Sequence, residues 1–288
     1  MTTTIADPLD SLVHLSHLLG RETRLVQPGG GNTSIKLGDA LLVKGSGTDL
    51  RTIGRDGFTR LSLARLAPLA DAQAMTDADM MRFMASCMLA DGPAPSVETP
   101  LHSLLPHRVI AHTHDVATMS LTNVPEGTAE RLVHELFDGA IAYVPYSRPG
   151  FPLARAVSTM VQRIPADGIG LSLAHHGLVV WGDDAEQSHA RLLEVVARIE
   201  GYVEACRRAG RRGVTPRSST ADRAALEVGP SPADALSPAD RRRLALVVLP
   251  AIRGSLSRDD RVILHYDDGD DLLAVLADRN TGELTTRG

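Results

Sequence analysis

Two short β-prone runs, TSIKL (33–37) and ALLVK (40–44), are separated only by Gly38-Asp39. A two-residue loop of this kind closes a β-hairpin. Strands joined so tightly run antiparallel, because a parallel pair needs a crossover of about a dozen residues or more. The rest of the pattern fits around that hairpin. Residues 8–20 (PLDSLVHLSHLLG) carry Leu9, Leu12, Val13 and Leu19 at helical spacing, and Gly20 is a natural stop. Helices are also expected over 76–90, with Thr76 or Asp77 capping, over 99–105, and over 184–209. Strands are expected over 109–114 and 140–144, and a strand–turn–strand over 172–181. Strands interspersed with helices, without strict βαβ alternation, predict an α/β sandwich around a mainly antiparallel or mixed sheet.

The pattern weakens after residue 210, where Arg, Ser, Pro and Ala replace the large apolar residues. The expected organisation is a main domain over 1–210, a linker over 211–236 and a small helix–strand–helix appendage over 237–288. Composition narrows the function. Aromatic residues are 3% of the chain and the formal net charge is −5. Stacking platforms and a general phosphate-backbone surface are therefore not expected, and nucleic acid is not an expected partner. Cys87 and Cys206 are the two cysteines and make no CxxC pair, which fits a reducing cytoplasm. With no signal-like N-terminus and no apolar run near 20 residues, neither secretion nor membrane insertion is expected.

The eleven histidines carry the chemistry. His112 and His114 stand two apart in VIAHTHDVA at the end of an apolar run. In a strand, positions i and i+2 share a face, so both imidazoles turn to one side. A third imidazole comes from the HHG step, where His176 precedes Gly177 and His175 is an equal alternative. Three imidazoles with an open position are a common layout for catalytic zinc. An HxH pair is also what two surface or hydrogen-bonded histidines look like. Glu98 in APSVETPLH reads either as a carboxylate favouring a helix N-terminus or as a metal ligand and proton carrier. GGGNTS (29–34) and KGSGTDL (44–50) are either hairpin turns or nests of backbone N–H groups for phosphate oxygens. Neither is a dinucleotide fingerprint, and no GxxxxGK[ST] occurs.

In the order GGGNTS, KGSG, PSVETPLH, HTH, HHG, these motifs resemble the class II (zinc-dependent) aldolase/adducin family over residues 10–209. The wording VKGSGTDL, SVETPLHSLLPHRVIAHTHDVATMSLTN and VPYSRPGF is most similar to the aldolase part of bifunctional rhamnulose-1-phosphate aldolase/alcohol dehydrogenase proteins. The resemblance implies a three-layer α/β/α sandwich. It makes His112, His114 and His176 the metal ligands and Glu98 the acid/base and fourth resting ligand. Gly31, Asn32, Ser46, Gly47 and Ser96 become the substrate-phosphate positions. One of the family's paired serines is replaced here by Val97, and the family's tyrosine acid has no single counterpart among Tyr143, Tyr146 and Tyr202.

The implied reaction is reversible retro-aldol cleavage of a small ketose 1-phosphate. The products are dihydroxyacetone phosphate and a short aldehyde such as lactaldehyde, formed through a metal-stabilised enediolate. The expected cofactor is Zn²⁺, or Mn²⁺, Co²⁺ or Ni²⁺ in its place. Lys36 and Lys44 are the only lysines, which disfavours Schiff-base chemistry. No GxGxxG follows a strand and the tail is too small to hold a dinucleotide, so neither NAD nor dehydrogenase activity is expected. A homo-oligomer, a tetramer as in the family, is expected. A pentulose-phosphate 4-epimerase or a keto-acid phosphate decarboxylase would use the same site. A non-catalytic adducin-like assembly module is the competing reading from another class.

Overall fold

The structure is a computed structural model that describes residues 7–27, 30–208 and 237–256. The chain divides into two compact units, Met1–Val214 and Thr215–Arg287. In the first, the expected hairpin is present as β1 (Asn32–Leu37) and β2 (Ala40–Lys44), paired antiparallel from Leu37 opposite Ala40 to Ser34 opposite Val43. Five further strands complete one sheet: β3 (Phe58–Ser62), β4 (Val109–Thr113), β5 (Ile141–Val144), β6 (Gly170–Leu173) and β7 (Gly177–Gly182). Their order is β3-β2-β1-β4-β7-β6-β5. Every neighbouring pair is antiparallel except β5 with β6. That pair is parallel because an α-helix crosses over between its strands.

Eight helices of this unit are α1 (Pro8–Gly20), α2 (Leu63–Leu66), α3 (Asp77–Ser86), α4 (Thr99–Leu104), α5 (Val116–Thr122), α6 (Glu126–Phe137), α7 (Phe151–Val161) and α8 (Ala185–Arg208). They cover both faces of the sheet, which makes the mixed α/β sandwich. On one face Leu12, Leu15 and Leu19 of α1 and Leu192, Val195, Val196 and Ile199 of α8 pack with Val109, Ala111, Leu178 and Val180. On the other, Leu101 of α4 and Leu153 and Val157 of α7 pack with Ile110, Val179 and Trp181. Successive strand residues thus alternate between two cores, as the pleat requires. His112 follows Ile110 on the α4 face by the same alternation.

The differences from the sequence reading have local causes. The helix expected to run to residue 90 stops at Ser86, because the chain then pairs with β3. Ser62 N–H donates to the Cys87 carbonyl at 3.0 Å and Leu89 N–H to that of Arg60 at 2.9 Å. Strand β3 and helices α5, α6 and α7 had no counterpart in the sequence reading. In the second unit, the helix expected over 239–254 spans Pro238–Leu256, and Ser237 Oγ accepts from Asp240 N–H at 3.1 Å as its cap. The linker (211–236), the strand (261–266) and the final helix (271–276) lie outside the described residues. Among the described residues no helix is long and apolar enough to cross a membrane.

Candidate metal centre

Three elements deliver the four side chains. His112 is the penultimate residue of β4, held between Asn32 of β1 and Val179 of β7. His114 follows just beyond the strand. His176 sits in the turn between β6 and β7, immediately before Gly177. Glu98 is the N-cap of α4 but makes no capping hydrogen bond with its side chain. Its carboxylate turns instead to the histidines His112 and His176.

The donor atoms converge. His114 Nε2 lies 3.1 Å from His112 Nε2 and 3.0 Å from His176 Nε2. Glu98 Oε1 lies 2.9 Å from His176 Nε2 and 3.6 Å from His112 Nε2. Among the described residues this is the group of at least three His, Cys, Asp or Glu whose donor atoms could hold one metal ion, all within 4.8 Å of one another. His112 Nδ1–H donates to the Leu178 carbonyl at 2.9 Å, which leaves Nε2 as the free lone pair facing the cluster. Three imidazole nitrogens and one carboxylate oxygen suit a divalent ion such as Zn²⁺.

Two glycines make the convergence possible. Gly177 has φ +154°, and a Cβ there would sit 2.0 Å from the Thr113 carbonyl oxygen. Gly31 has φ +69°, and its Cβ would meet the His112 carbonyl at 2.8 Å. Only glycine lets these backbones close on β4 from two sides. His175 also has positive φ, 55°, but it is exposed and its ring faces Tyr146 at 6.1 Å, edge-on. His176, not His175, enters the cluster.

Burial opposes the charge on Glu98, yet His112 and then His176 hold its carboxyl well below the usual range. Burial would likewise push His112 down, but Glu98 outweighs it and raises it. Burial, reinforced by His112, drives His114 down to about 3. Lys44, at the end of β2, is pushed down by burial and pulled back by Glu98 and Asp49. Its ammonium makes no hydrogen bond or ion pair among the described residues.

The five remaining expected positions are placed as follows. Asn32 Nδ2–H donates to Glu98 Oε2 at 2.6 Å. Gly31 backs His112. Ser46 and Gly47 form an exposed turn tied to the segment before Glu98, since Ser46 N–H donates to the Ala94 carbonyl at 2.8 Å. Ser96 Oγ accepts from Glu98 N–H at 3.3 Å. The sequence reading missed His102 and Lys44 as neighbours of the site. His102 stands four residues after Glu98 on α4, a spacing that could have flagged it.

Residues 10–203 match the model of the class II aldolase and adducin N-terminal domain. The chain belongs to the class II aldolase and adducin family. It is similar to an uncharacterized oxidoreductase, YuxG, of Bacillus subtilis (strain 168), at 30% identity over 275 residues, which are 92% of this chain and 37% of that protein. The chain thus spans little more than a third of that relative. Among solved structures, it is similar to the N-terminal class II aldolase domain of a conserved protein from Thermoplasma acidophilum. The match has 32% identity and a TM-score of 0.64, and covers 70% of this chain and 97% of the other. An L-fuculose 1-phosphate aldolase shares the fold at 16% identity and a TM-score of 0.52, covering 76% and 95%. The chain accordingly carries a class II aldolase and adducin domain, with a His/Glu group that could hold a metal ion.

Proposed function

We propose that this chain is a metal-dependent aldolase that reversibly cleaves a small ketose 1-phosphate to dihydroxyacetone phosphate and a short aldehyde such as lactaldehyde. The observation that carries this reading is the convergence of three Nε2 atoms and Glu98 Oε1 on one point. His112, His114 and His176 would hold the ion, Zn²⁺ or alternatively Mn²⁺, Co²⁺ or Ni²⁺, with Glu98 as the resting fourth ligand. Bound there, the ion supplies Lewis-acid charge for the carbonyl and hydroxyl oxygens next to the broken bond.

The chain's own groups do the rest. Glu98 is held as a carboxylate, so Oε1 can take a proton and return it to the substrate carbon left with the bond's electrons. Asn32 keeps Oε2 occupied, which leaves a single oxygen for that exchange. Gly31, Asn32, Ser46, Gly47 and Ser96 would bind the phosphate, and Lys44, which directly precedes the KGSG glycines, would add positive charge. Cleavage is redox-neutral, so NAD has no part in it. The aldolase domain would be residues 1–210, acting in the cytoplasm as a homo-oligomer, a tetramer as in the family. A relation to the bifunctional rhamnulose-1-phosphate aldolase proteins is supported by the similarity to a much longer protein named an oxidoreductase. Incubation of the metal-loaded protein with rhamnulose 1-phosphate tests the reading. Release of dihydroxyacetone phosphate supports it; a C4 epimer without that release would replace it with the epimerase.

A further inference from the structure

Behind Glu98 and Asn32 lie two buried polar side chains, Ser34 and His102, that no step above uses. His102 is fully buried on α4, four residues after Glu98, so the two share a helix face. Asn32 and Ser34 stand two apart on β1 and share a strand face. The two pairs interlock. Ser34 Oγ lies 2.7 Å from His102 Nδ1, His102 Nε2 is hydrogen-bonded to Asn32 Oδ1, and Asn32 Nδ2 lies 2.6 Å from Glu98 Oε2.

The direction of every bond is fixed by chemistry. A carboxylate only accepts, so the Asn32 amide must present its NH₂ to Glu98 and its oxygen to His102. That oxygen needs a donor, so the His102 proton is on Nε2. Nδ1 is then an acceptor, and Ser34 O–H donates to it. All three donors point toward Glu98 Oε2, and bonds aligned head to tail polarise one another.

We propose that Ser34, His102 and Asn32 form a positioning relay that locks one oxygen of Glu98 and so presents the other, Oε1, to the histidine cluster. His102 makes its side-chain hydrogen bonds to Ser34 and Asn32 and none to the cluster; it acts through Asn32. The proposal rests on Glu98 carrying the proton as proposed above, but its geometry can be tested without any turnover.

The test has two arms on the full-length, metal-loaded protein. Nitrogen-15 NMR of histidine-labelled protein, with the His102 signals identified from their loss in His102→Gln, should show a neutral ring protonated on Nε2. A proton on Nδ1 would overturn the relay whatever the protein catalyses. In the second arm, cleavage of rhamnulose 1-phosphate is followed in His102→Leu, His102→Gln and Ser34→Ala. His102→Leu should lower kcat at least tenfold, with KM within twofold of wild type and bound metal unchanged. His102→Gln keeps a donor near the Nε2 position and should recover most of the rate. Ser34→Ala removes one oxygen, leaves the fold intact and should lower kcat severalfold. Loss of metal in His102→Leu, or a Gln variant as slow as the Leu variant, would reduce His102 to a packing residue and overturn the proposal. If wild type cleaves nothing, the functional reading fails, and the NMR arm still decides the relay.

Discussion

The histidine cluster and the KGSG turn are built in opposite ways. The cluster is made of side chains fixed on strand ends and a helix cap. His112 is fully buried, its Nδ1 is tied to a carbonyl, and two glycines clamp the backbone around it. The KGSG turn is exposed backbone: Gly47 has φ +78°, with nothing within 4 Å of where a Cβ would be. Ser46 Oγ has no partner among the described residues. Under the proposed function the contrast separates two jobs. Bond breaking needs atoms held to within about half an ångström, which packed elements provide. Holding a phosphate takes donors that can adapt to the ligand, and loops on a rigid scaffold provide those.

The largest effects should come from the rigid region. Removing one imidazole, as in His112→Ala or His114→Ala, takes away a third of the nitrogen ligation, and we expect turnover to fall by roughly a thousandfold or more in steady-state cleavage assays. Near wild-type turnover in either variant would remove the cluster from the chemistry. Glu98→Gln should come next, with turnover lower by about 10²–10⁴-fold while metal stays bound. Gln keeps the shape and an acceptor oxygen but cannot take up a proton. An unchanged rate would return Glu98 to the role of a helix-end residue.

The adaptable region should respond more gently. Ser46→Ala should raise KM for the phosphorylated ketose about tenfold, the worth of one hydrogen bond to a charged group. KM for the dephosphorylated sugar should stay nearly constant. Equal changes for both would show that this turn does not read phosphate.

The smallest effect concerns a lysine that belongs to neither region. Lys36 donates to the Leu105 carbonyl at the end of α4, and burial pushes its ammonium down to about 8 from 10.5. The unfolded chain therefore holds that proton more tightly than the folded one. The penalty is fully present below about pH 8 and is relieved as pH rises toward 10.5, so stability contributed by this site climbs across that window. Lys36→Met should lose this slope in denaturant titrations between pH 7.5 and about 10. A slope unchanged by the substitution would show that Lys36 reaches water in solution.

How much of this was legible depended on what kind of signal each part leaves. The hairpin, α1 and α8 were readable because local periodicity and turn chemistry alone set them. The HxH pair was readable because the strand period places both rings on one side. The end of α3 was not: Cys87 and Leu89 leave the helix to pair with β3, a partner distant in sequence. The residues alone left His175 and His176 as equals and only the family resemblance chose His176, since the choice depends on the φ of 55° at His175 and on how closely Gly177 approaches Thr113. His102 escaped for the same reason. Its partners Ser34 and Asn32 are 68 and 70 residues away, and nothing in PSVETPLH names them.

The claim that His112, His114 and His176 hold one divalent ion, and that His175 does not, is open to a direct measurement. Metal content per chain can be determined by elemental analysis on wild type, His175→Ala and His176→Ala purified side by side. About one zinc-like ion is expected in wild type and in His175→Ala, and little or none in His176→Ala. Full occupancy in His176→Ala, or loss of metal in His175→Ala alone, would contradict the assignment.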